Sequence, residues 1–329
     1  MGHRKPLRVV VLTGGTSAER EVCLMSGRKV LGALDGERYE AVSVDLADIT
    51  ASGDVAPLLS AFGTGQRPDV VFVALHGGAG ENGTVQGMLE LLGVPYTGSG
   101  VLASALALNK VVAKKFFERE GIPTPRWMAV REAERAGAAG RIVSTLGLPC
   151  VVKPGQEGSS IGVTIVKEQG ALEQALDLAF RYGSEALVEE YITGTEITGP
   201  VLGNDAPQVL PLIEIVPKNE FYDYEAKYTP GATEEIIPAR IPEAQAERAR
   251  ELTLATHQLM GCRGMSRVDM IVAPDDVYVL ELQTIPGLTD TSLVPRAAEA
   301  AGISFPQLVE RLIELALEER GGGASGYES

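Results

Sequence analysis

The stretch GMSRVDMIVAPDDVYVLELQTIPG, residues 264–287, contains two strand-like runs joined by a short acidic turn. Arg267 and Asp269 are two positions apart in the first run, and Glu281 and Gln283 are two positions apart in the second. Because side chains alternate along a strand, an antiparallel hairpin would place all four on one face if the register allows. A lone glutamate at a strand end is usually solvated, but three oxygen donors and an arginine on one face are too costly for incidental packing. The stretch therefore predicts a site for Mg²⁺ and a phosphoryl group.

A glycine-rich turn lies upstream, in LPCVVKPGQEGSSIGVTIV, residues 148–166. One predicted strand delivers Lys153, and a second begins at Ile161 after a turn that contains Gly155 and Gly158. Glycines let backbone N–H groups approach an anion closely, and the lysine adds a positive charge. This pattern predicts a hairpin lid over phosphates, and an exposed hairpin with a surface lysine is the alternative.

The segment ALVEEYITGTEIT, residues 186–198, places Glu189, Glu190 and Glu196 around a short turn after a strand. Acidic side chains and backbone groups at such a hinge can accept hydrogen bonds from an adenine amino group and from ribose hydroxyls. Since acidic turns are more often simply solvated, this segment indicates a nucleotide site only in combination with the lid and the hairpin.

The first hundred residues alternate between short apolar strands and helical patterns. Two of these strands, LRVVVLTGG (7–15) and DVVFVALHGG (69–78), end in Gly-Gly. Continuous apolar strands separated by helices predict a parallel sheet covered on both faces, which is an α/β fold. Ligands bind at the carboxyl ends of such strands, and both Gly-Gly pairs lie there.

The rest of the chain also divides into predicted elements. Residues 104–125, SALALNKVVAKKFFEREGIPTP, predict one helix that ends at Gly121. Residues 126–198 have the order strand, helix, strand, glycine-rich turn, strand, helix, strand. We expect strands near 208–216, 265–273 and 277–282, and helices near 242–260, 292–301 and 306–319.

Composition limits the class of protein. The chain has 329 residues and a formal net charge of −15, and an acidic surface repels nucleic acid and anionic membranes, so neither is expected as a partner. Cys23, Cys150 and Cys262 lack zinc-ligand spacing, which indicates buried free thiols in a reducing compartment. No apolar run reaches about 18 residues, and we expect a cytoplasmic protein without a signal peptide or transmembrane helix.

The lid, the acidic hinge and the R-x-D…E-x-[NQ] hairpin together resemble the ATP-grasp fold. Finer motifs resemble the D-alanine–D-alanine ligase family, and the similarity runs in motif order from about Arg8 to Leu317. The motifs are LTGGTSAEREVCLMSG (12–27), HGGAGENGTVQGMLELLGVPYTGSGVLASALALNK (76–110), FYDYEAKYTPG (221–231) and IPGLTDTSLVP (285–295).

The resemblance implies a three-domain ATP-grasp architecture, with a Rossmann-like parallel-sheet domain at the N-terminus and α+β structure in the ATP-grasp part. We place the N-terminal domain at 1–107, the central subdomain with the lid at 108–198 and the C-terminal subdomain at 199–320. The tail, 321–329, is Gly/Ser-rich and expected to be disordered.

The resemblance also implies the chemistry. ATP would phosphorylate the carboxylate of a first D-alanine, and the amine of a second D-alanine would attack the acyl phosphate. The residues implied to bind ATP are Lys110, Lys153, Glu189, Ile192, Glu196 and Lys227. Two Mg²⁺ ions, or Mn²⁺, would be held by Asp269, Glu281 and Gln283.

Substrate contacts are implied in the same way. Glu19 would meet the ammonium group of the first D-alanine, with His76 nearby, although a lone histidine after an apolar strand is more often a packed core residue. Arg267 and the Gly287 N–H would stabilise the acyl phosphate and the tetrahedral intermediate. Ser292 and Leu293 would receive the carboxylate of the second D-alanine at a helix N-terminus.

The segment PKNEFYDYEAKYTPGATEE, residues 217–235, resembles the mobile loop of the family. Its closure would exclude water from the acyl phosphate. Lys227 would reach phosphate, and Tyr228 favours an amine over a hydroxyl as the second nucleophile. Ser159 would link Glu19 to Tyr228 and order the closed state.

The sequence departs from the family pattern at several positions. Gln283 replaces the usual Asn, and the longer side chain predicts weaker or altered Mg²⁺ binding without loss of activity. Gly199 and Pro200 interrupt a segment expected to be plain strand, which indicates a sheet edge or a bulge.

Two other functions stay open. One is a related ligase that joins D-alanine to D-serine, D-lactate or an antibiotic precursor. The other is a nucleotide-binding protein that has lost turnover, which the presence of Lys153, Arg267, Asp269 and Glu281 argues against. The resemblance further implies a homodimer, D-alanine and ATP as small-molecule partners, and a product used in peptidoglycan synthesis.

Overall fold

The computed structural model describes residues 5–63, 65–158, 160–218 and 233–318. Within these ranges the chain forms one parallel sheet and two antiparallel sheets, each covered by helices. This arrangement confirms the predicted α/β class, with an antiparallel α+β part after the first hundred residues.

The N-terminal sheet has the order β2-β1-β3, and both outer strands run parallel to β1. Its strands are β1 (Leu7–Thr13), β2 (Tyr39–Asp45) and β3 (Val70–Val73). The strands β1 and β3 are almost fully buried because helices cover both faces of the sheet. The helices of this part are α1 (Arg20–Ala33), α2 (Leu46–Ser52), α3 (Ala56–Leu59), α4 (Gly78–Glu81), α5 (Thr84–Leu91) and α6 (Val101–Leu108).

The single helix predicted over residues 104–120 is wrong, because α6 ends at Leu108 and a new helix, α7 (Lys110–Arg119), begins two residues later. Asn109 between them is extended, with φ −82° and ψ 92°, and its side chain accepts a hydrogen bond from the Val112 N–H. Asparagine is a strong N-cap residue, and this capping signal outweighs the continuous apolar pattern.

The central sheet has the order β4-β7-β5-β6 and is antiparallel throughout. Its strands are β4 (Trp127–Arg131), β5 (Cys150–Pro154), β6 (Thr164–Val166) and β7 (Glu185–Glu190). The helices α8 (Ala138–Leu146) and α9 (Leu172–Phe180) pack on it, and short 3-10 turns occupy Glu132–Glu134 and Gln169–Ala171. The glycine-rich turn connects β5 to β6, as the sequence predicts.

The C-terminal sheet has the order β11-β10-β8-β12-β13, and β9 also pairs with β8. Its strands are β8 (Thr195–Leu202), β9 (Gln208–Val209), β10 (Ile213–Pro217), β11 (Thr233–Ile236), β12 (Met265–Val272) and β13 (Val277–Gln283). The helices are α10 (Glu243–Leu259), α11 (Leu293–Ala300) and α12 (Phe305–Glu318).

Strand β8 lies inside this sheet, so the edge expected at Gly199 and Pro200 is wrong. All eight of its residues pair with β12 without a bulge. On the opposite side of β8, strand β10 pairs with residues 197–198 and strand β9 pairs with residues 201–202. The Pro200 carbonyl accepts from the Leu210 N–H in the gap between those two partners, so the missing N–H of the proline interrupts no continuous ladder.

Because β8 also spans the expected domain boundary at 198–199, we propose that the C-terminal subdomain begins before Thr195.

The C-terminal helices return to the first sheet and share a core with it. Leu308 and Leu312 of α12 are buried in one cluster with Val9 and Phe72. The carboxyl end of β3 also approaches the end of β13, because the His76 ring contacts the Ile285 carbonyl. Within the described ranges, no helix is both long enough and apolar enough to cross a membrane.

The cysteines are free, and the three residues differ in exposure although burial acts on all three thiols. Cys23 and Cys150 are buried, whereas Cys262 is partly exposed. Burial raises the pKa of Cys150 to about 11, and those of Cys23 and Cys262 to about 12. The expectation of unpaired thiols is confirmed, and that of burial holds for two of the three.

Candidate active site

The register of the β12–β13 hairpin brings the four predicted side chains together. Arg267 lies opposite Gln283, and Asp269 lies opposite Glu281. Beyond this pair the register shifts, and Met270 is opposite Val279, so that Leu280 has no partner on β12. The prediction that the hairpin register could place these four residues on one face is confirmed, but it depends on a bulge that the sequence pattern does not reveal.

The bulge at Leu280 changes the alternation of β13. Val277 and Val279 lie in the core, and Leu282 lies in the same core although it is an odd number of residues further on. Leu280 and Glu281 consequently both line the cavity on the opposite face. Without the extra residue, strict alternation would place Glu281 on the core side with the valines.

A cavity lies between the central and C-terminal sheets. One part is apolar, and the other carries cations and carboxylates. The apolar lining consists of Val151, Val163, Ile165, Ile192, Ile271 and Leu280, and the charged lining includes Lys110, Lys153, Glu189, Glu196, Asp269 and Glu281.

Lys110 reaches the cavity because of the helix break at Asn109. Its N–H donates to the Gly155 carbonyl at the base of the lid, 2.8 Å away. Its Nζ lies 2.8 Å from Glu281 Oε2. The first residue of α7 thus connects the lid to the end of β13, and a continuous helix would not place it there.

Glu189 is buried between two lysines. Its Oε1 lies 2.5 Å from Lys114 Nζ, and its Oε2 is paired with Lys153 Nζ. Burial alone would raise the pKa of Glu189, but the two ammonium groups lower it. Burial lowers the pKa of Lys114 to about 8, whereas the pKa of Lys153 is raised because Glu189 and Glu281 outweigh its burial.

Lys114 is a site residue that the sequence reasoning missed. It lies on the apolar-patterned helix α7 and is one of the largest fully buried side chains among the described residues. Its Nζ also donates to the Val279 carbonyl at 3.2 Å and to Thr124 Oγ1. The available signal was its spacing, since Lys114 is four residues after Lys110 and therefore on the same helix face.

Asp269 is held by two neighbours. Arg267 makes a bidentate contact, with Nε 2.8 Å from Oδ1 and an Nη atom 2.7 Å from Oδ2. Thr198 on β8 donates to Oδ1 at 2.6 Å. The planar guanidinium is therefore fixed against one edge of a carboxylate that lines the cavity.

The structure also places Glu19 and His76 at the carboxyl ends of the parallel strands. Glu19 is buried, and its Oε2 lies against the α-carbons of Gly77 and Gly158, where an added methyl group would come within 2.6 and 2.9 Å. Glu19 thus touches both the turn after β3 and the lid. His76 contacts Ser26 through Nε2 at 2.9 Å and the Ile285 carbonyl through Nδ1 at 3.1 Å.

Glu81 is a second buried carboxyl group beside Glu19, and the sequence reasoning did not select it. Its Oε2 accepts from the Gly77 N–H at 2.7 Å. Burial, reinforced by the charge of Glu19, raises the pKa of Glu81 to about 8. The run GENG contained this residue, but nothing in the sequence alone indicates that it approaches Glu19.

The loop after β13 carries the last three predicted residues. Ser292 Oγ accepts from the Thr289 N–H at 2.9 Å and lies over Gly287, where an added Cβ would approach it to 2.6 Å. Ser292 is the N-cap of α11, and Leu293 is its first residue. Ser159, Lys227 and Tyr228, together with most of the predicted loop 217–235, lie outside the described residues.

The metal site was predicted from Asp269, Glu281 and Gln283. The first two line the large cavity, whereas Gln283 lines a smaller neighbouring cavity with Glu81 and Lys110. In the described part of the chain, no three His, Cys, Asp or Glu side chains form a metal-binding group. Since Mg²⁺ is commonly bound by one or two carboxylates together with substrate phosphates, two carboxylates and a nearby amide oxygen fit this ion.

A cavity between two antiparallel sheets, with a glycine-rich lid, buried lysines and opposed carboxylates, defines an ATP-grasp ligase. Two family profiles match the sequence, "D-ala D-ala ligase N-terminus" over residues 50–99 and "D-ala D-ala ligase C-terminus" over residues 116–314. The chain belongs to the D-alanine–D-alanine ligase family.

Relatives support this assignment over nearly the full length. The D-alanine–D-alanine ligase of Desulforudis audaxviator is 51% identical over 94% of this chain and 99% of its own length. The ATP complex of the Bacillus anthracis D-alanine–D-alanine ligase is 36% identical with a TM-score of 0.82, covering 97% of this chain and 99% of the other. The VanG D-Ala:D-Ser ligase from Enterococcus faecalis is 32% identical with a TM-score of 0.82, covering 95% of this chain and all of the other.

Proposed function

We propose that this protein joins two D-alanine molecules at the expense of ATP, through a D-alanyl phosphate. The observation that carries the proposal is the hairpin of β12 and β13, which sets Asp269 and Glu281 on one wall of a cavity whose other walls carry Lys110 and Lys153. Arg267, on the same face of the hairpin, is bound to Asp269. A phosphoryl group transferred in this cavity would be surrounded by fixed cations, so its developing charge needs little reorganisation of the site.

In this proposal ATP occupies the cavity between the central and C-terminal sheets. Lys110 and Lys153 contact its phosphates, and the backbone near Ile192 and the carboxylate of Glu196 hold adenine and ribose. Glu189 acts by ordering Lys153 beside the phosphates, since both of its oxygens are paired with lysines. Lys227 belongs to the same set by resemblance.

Asp269, Glu281 and Gln283 would hold two Mg²⁺ ions, for which Mn²⁺ is an alternative. The metal would neutralise phosphate charge. The protein's own contribution is to fix the two carboxylates opposite each other, each beside a cation: Arg267 contacts Asp269, and Lys110 contacts Glu281.

The two amino acids bind at the far end of the cavity, near the N-terminal sheet. Glu19 binds the ammonium of the first D-alanine, so the carboxylate of this D-alanine points to the phosphates. That substrate carboxylate attacks the γ-phosphorus of ATP, which forms the acyl phosphate and releases ADP. The amine of the second D-alanine then attacks the carbonyl carbon after losing a proton, and phosphate leaves as the peptide bond forms.

Arg267 and the Gly287 N–H stabilise the oxyanion of that tetrahedral intermediate. Ser292 and Leu293 bind the carboxylate of the second D-alanine at the N-terminus of α11, where anions are favoured. Ser159 and Tyr228 complete the closed site. The protein acts in the cytoplasm as a homodimer, and its product enters peptidoglycan synthesis.

Substrate choice is the point at which the relatives differ. The fold resembles a D-Ala:D-Ser ligase as well as a D-alanine–D-alanine ligase, so a mixed product is the second candidate. The test is phosphate release with purified protein, ATP and Mg²⁺, with D-alanine alone, L-alanine alone, and D-alanine with D-serine or D-lactate. Mass spectrometry identifies the product.

Turnover with D-alanine alone and formation of the dipeptide would support the proposal. Turnover only with a mixed pair would replace it by the second candidate. ATP binding without ADP formation for any pair would contradict both, and Asp269→Asn serves as the inactive control in each arm.

A further inference from the structure

The segment Ile285–Leu288 crosses from the end of β13 to the N-terminal sheet, and both of its end residues are buried. The Ile285 side chain lies in a core cluster with Leu12, Val73 and Leu75 of the N-terminal part. Leu288 lies in the other core cluster, with Leu293 and Leu312 among its members. The two residues between them, Pro286 and Gly287, are therefore anchored on both sides by apolar packing.

The backbone of the same segment is also held, by two side chains of the N-terminal part. His76 Nδ1 lies 3.1 Å from the Ile285 carbonyl oxygen, and the Leu288 N–H donates to Ser26 Oγ at 3.4 Å. Ser26 Oγ in turn lies 2.9 Å from His76 Nε2. The two side chains thus connect the ends of the segment to each other.

The donor and the acceptor in each of these hydrogen bonds can be assigned from the two backbone groups, the Ile285 carbonyl and the Leu288 N–H. A carbonyl can only accept, so His76 Nδ1 carries the hydrogen. Burial lowers the pKa of His76, which favours the neutral ring, so Nε2 accepts from the Ser26 hydroxyl. That hydroxyl accepts from the Leu288 N–H. The neutral Nδ1–H tautomer of His76 is the one that gives every group in this series of hydrogen bonds a partner.

His76 is itself fixed in place. Its backbone N–H donates to Cys23 Sγ at 3.1 Å, and its carbonyl accepts from Ser17 Oγ at 2.8 Å. Its ring is buried, and both ring nitrogens are used within the protein. A role as a direct ligand of the substrate ammonium would require the ring to give up one of these contacts.

We propose that His76 and Ser26 are positioning residues that fix the Gly287 N–H relative to Glu19. The inference rests on the proposed function, in which the Gly287 N–H stabilises the oxyanion of the tetrahedral intermediate and Glu19 binds the amino group. Glu19 lies against Gly77, the residue after His76. The connection from Glu19 through His76 to Ile285 therefore sets the distance between the amine subsite and the oxyanion site.

The kinetic test compares Ser26→Ala, His76→Asn, His76→Leu and the double variant Ser26→Ala/His76→Asn. Ser26 is fully buried and does not line the ATP cavity. We expect Ser26→Ala to lower kcat/KM for D-alanine by about 10- to 100-fold, because small displacements of a positioned group have effects of this size. The Kd for ATP should be nearly unchanged.

His76→Asn places an amide N–H near the position of Nδ1 and should retain more activity than His76→Leu, which removes both contacts. The double variant should lose no more than the worse single variant, because both residues act through one segment. Ser104→Ala is the matched control, since Ser104 is also a fully buried serine of the N-terminal part. Its kinetic constants should stay close to those of the wild type.

A measurement on the wild-type protein does not depend on activity. The chain has three histidines, and the ring ¹⁵N shifts of His76, assigned with His76→Asn, should show Nδ1 protonated and Nε2 unprotonated at neutral pH. The opposite tautomer would overturn the inference even if the ligase reaction is confirmed. Absence of dipeptide formation by the wild type would remove the proposed function and leave this test of the hydrogen-bond chain intact.

Two kinetic outcomes would also overturn the inference. One is Ser26→Ala with wild-type kinetics, whether or not its melting temperature falls, because the hydroxyl would then be purely structural. The other is a parallel loss of D-alanine kinetics and ATP affinity in Ser26→Ala, which would indicate general disruption of the fold.

Discussion

Asp269 and Glu281 lie directly opposite each other on adjacent antiparallel strands, and the unpaired residue Leu280 immediately precedes Glu281 on β13. The bulge is what allows Val277, Val279 and Leu282 to share a core while Glu281 lines the cavity. A single inserted residue thus separates the structural half of the strand from its ligand-binding half, as β-bulges next to active sites commonly do.

Deletion of Leu280 should abolish ligase activity. With regular pairing, either Glu281 turns into the core or Val277 and Val279 turn out of it. Either change should lower the free energy of unfolding by several kcal/mol, since a carboxylate is buried or two valines are exposed. The measurement is dipeptide formation together with denaturant unfolding.

Leu280→Ala is the control for the deletion, because it keeps the bulge and removes only part of the cavity lining. It should weaken ATP binding by about tenfold at most, which is roughly 1.4 kcal/mol. If the deletion variant keeps substantial activity, the bulge does not determine the orientation of Glu281.

Lys114→Met should destabilise the protein and weaken ATP binding. The substitution leaves Glu189 with Lys153 as its remaining lysine contact. Breaking one partner of a buried ion pair costs about 3–5 kcal/mol. Lys153 should also be drawn more strongly to Glu189 and away from the phosphates. Thermal unfolding and ATP titration report the two effects, and Lys115→Met, at an exposed position on the same helix, should change neither.

The double variant Lys114→Met/Glu189→Gln provides a second check. Removing the charge of Glu189 as well should recover part of the lost stability, because an incompletely paired buried carboxylate is no longer present. ATP affinity should not recover, since Lys153 then lacks its partner. A double variant that is less stable than Lys114→Met would show that the Glu189 carboxylate still stabilises the fold through Lys153 when Lys114 is absent.

Much of the fold could be predicted from local patterns. The apolar runs and glycine pairs identified the parallel sheet, and two-residue spacing placed Arg267 and Asp269 on one face, since both features depend on alternation within a single strand. The central sheet followed from the order of strand and helix patterns. These predictions needed no knowledge of distant contacts.

Apart from the local cap at Asn109, the predictions that failed depend on contacts between distant segments. The break at Asn109 reflects a cap and the hydrogen bond from Lys110 to Gly155, and the position of Pro200 reflects a gap between two short partner strands. Lys114 and Glu81 were not selected, because a buried charge is identified by its partner in space. Lys114 is paired with Glu189, and Glu81 lies beside Glu19, and both partners are distant in the sequence.

Glu81→Gln should stabilise the protein increasingly as the pH rises from about 4.5 to about 8. The pKa of Glu81 is raised from 4.5 to about 8, mainly by burial and also by the charge of Glu19. In this window the folded protein retains a proton that the unfolded chain has released, so the stability of the wild type falls as the pH increases. The glutamine variant lacks this pH-dependent loss of stability, because glutamine does not ionise.

Melting temperatures at pH 5, 7 and 8.5 would check this expectation. The difference between the variant and the wild type should be small at pH 5 and reach a few degrees at pH 8.5. Glu118→Gln, at an exposed position of α7, should show no such trend. A difference that does not change with pH would mean that Glu81 does not titrate in this range.

Gly158→Ala should raise the KM for D-alanine more than the KM for ATP. The added methyl group would lie 2.9 Å from Glu19 Oε2, which is too close, so the carboxylate or the lid must shift. Glu19 is the proposed partner of the substrate ammonium, and a shift of its oxygen weakens a charge-assisted hydrogen bond. We expect the KM for D-alanine to rise about tenfold, or roughly 1.4 kcal/mol.

Gly170→Ala, where nothing lies within 4 Å of the added group, is the control. Equal effects of the two substitutions on D-alanine kinetics would argue against Glu19 as the amine ligand.

Gln283→Asn should lower the Mg²⁺ concentration needed for half-maximal activity. Gln283 lines a smaller cavity than Asp269 and Glu281 do, and its Nε2 lies 3.5 Å from Glu281 Oε1. Its amide must therefore turn before its oxygen can join the two carboxylates. Mg²⁺ demands near-ideal octahedral geometry, so a side chain one methylene longer should bind it less well.

The measurement is a Mg²⁺ titration of both activity and ATP binding, since the binding readout separates a metal effect from a catalytic one. Asparagine, with a shorter side chain, should shift both curves to lower Mg²⁺ while leaving the maximal rate of the same order. Gln258→Asn applies the same chemical change at an exposed position of α10 and should leave both curves in place. Superimposable curves for the wild type and Gln283→Asn would exclude the amide from the metal site, because a ligand cannot be repositioned by one methylene without changing the affinity for so geometrically demanding an ion.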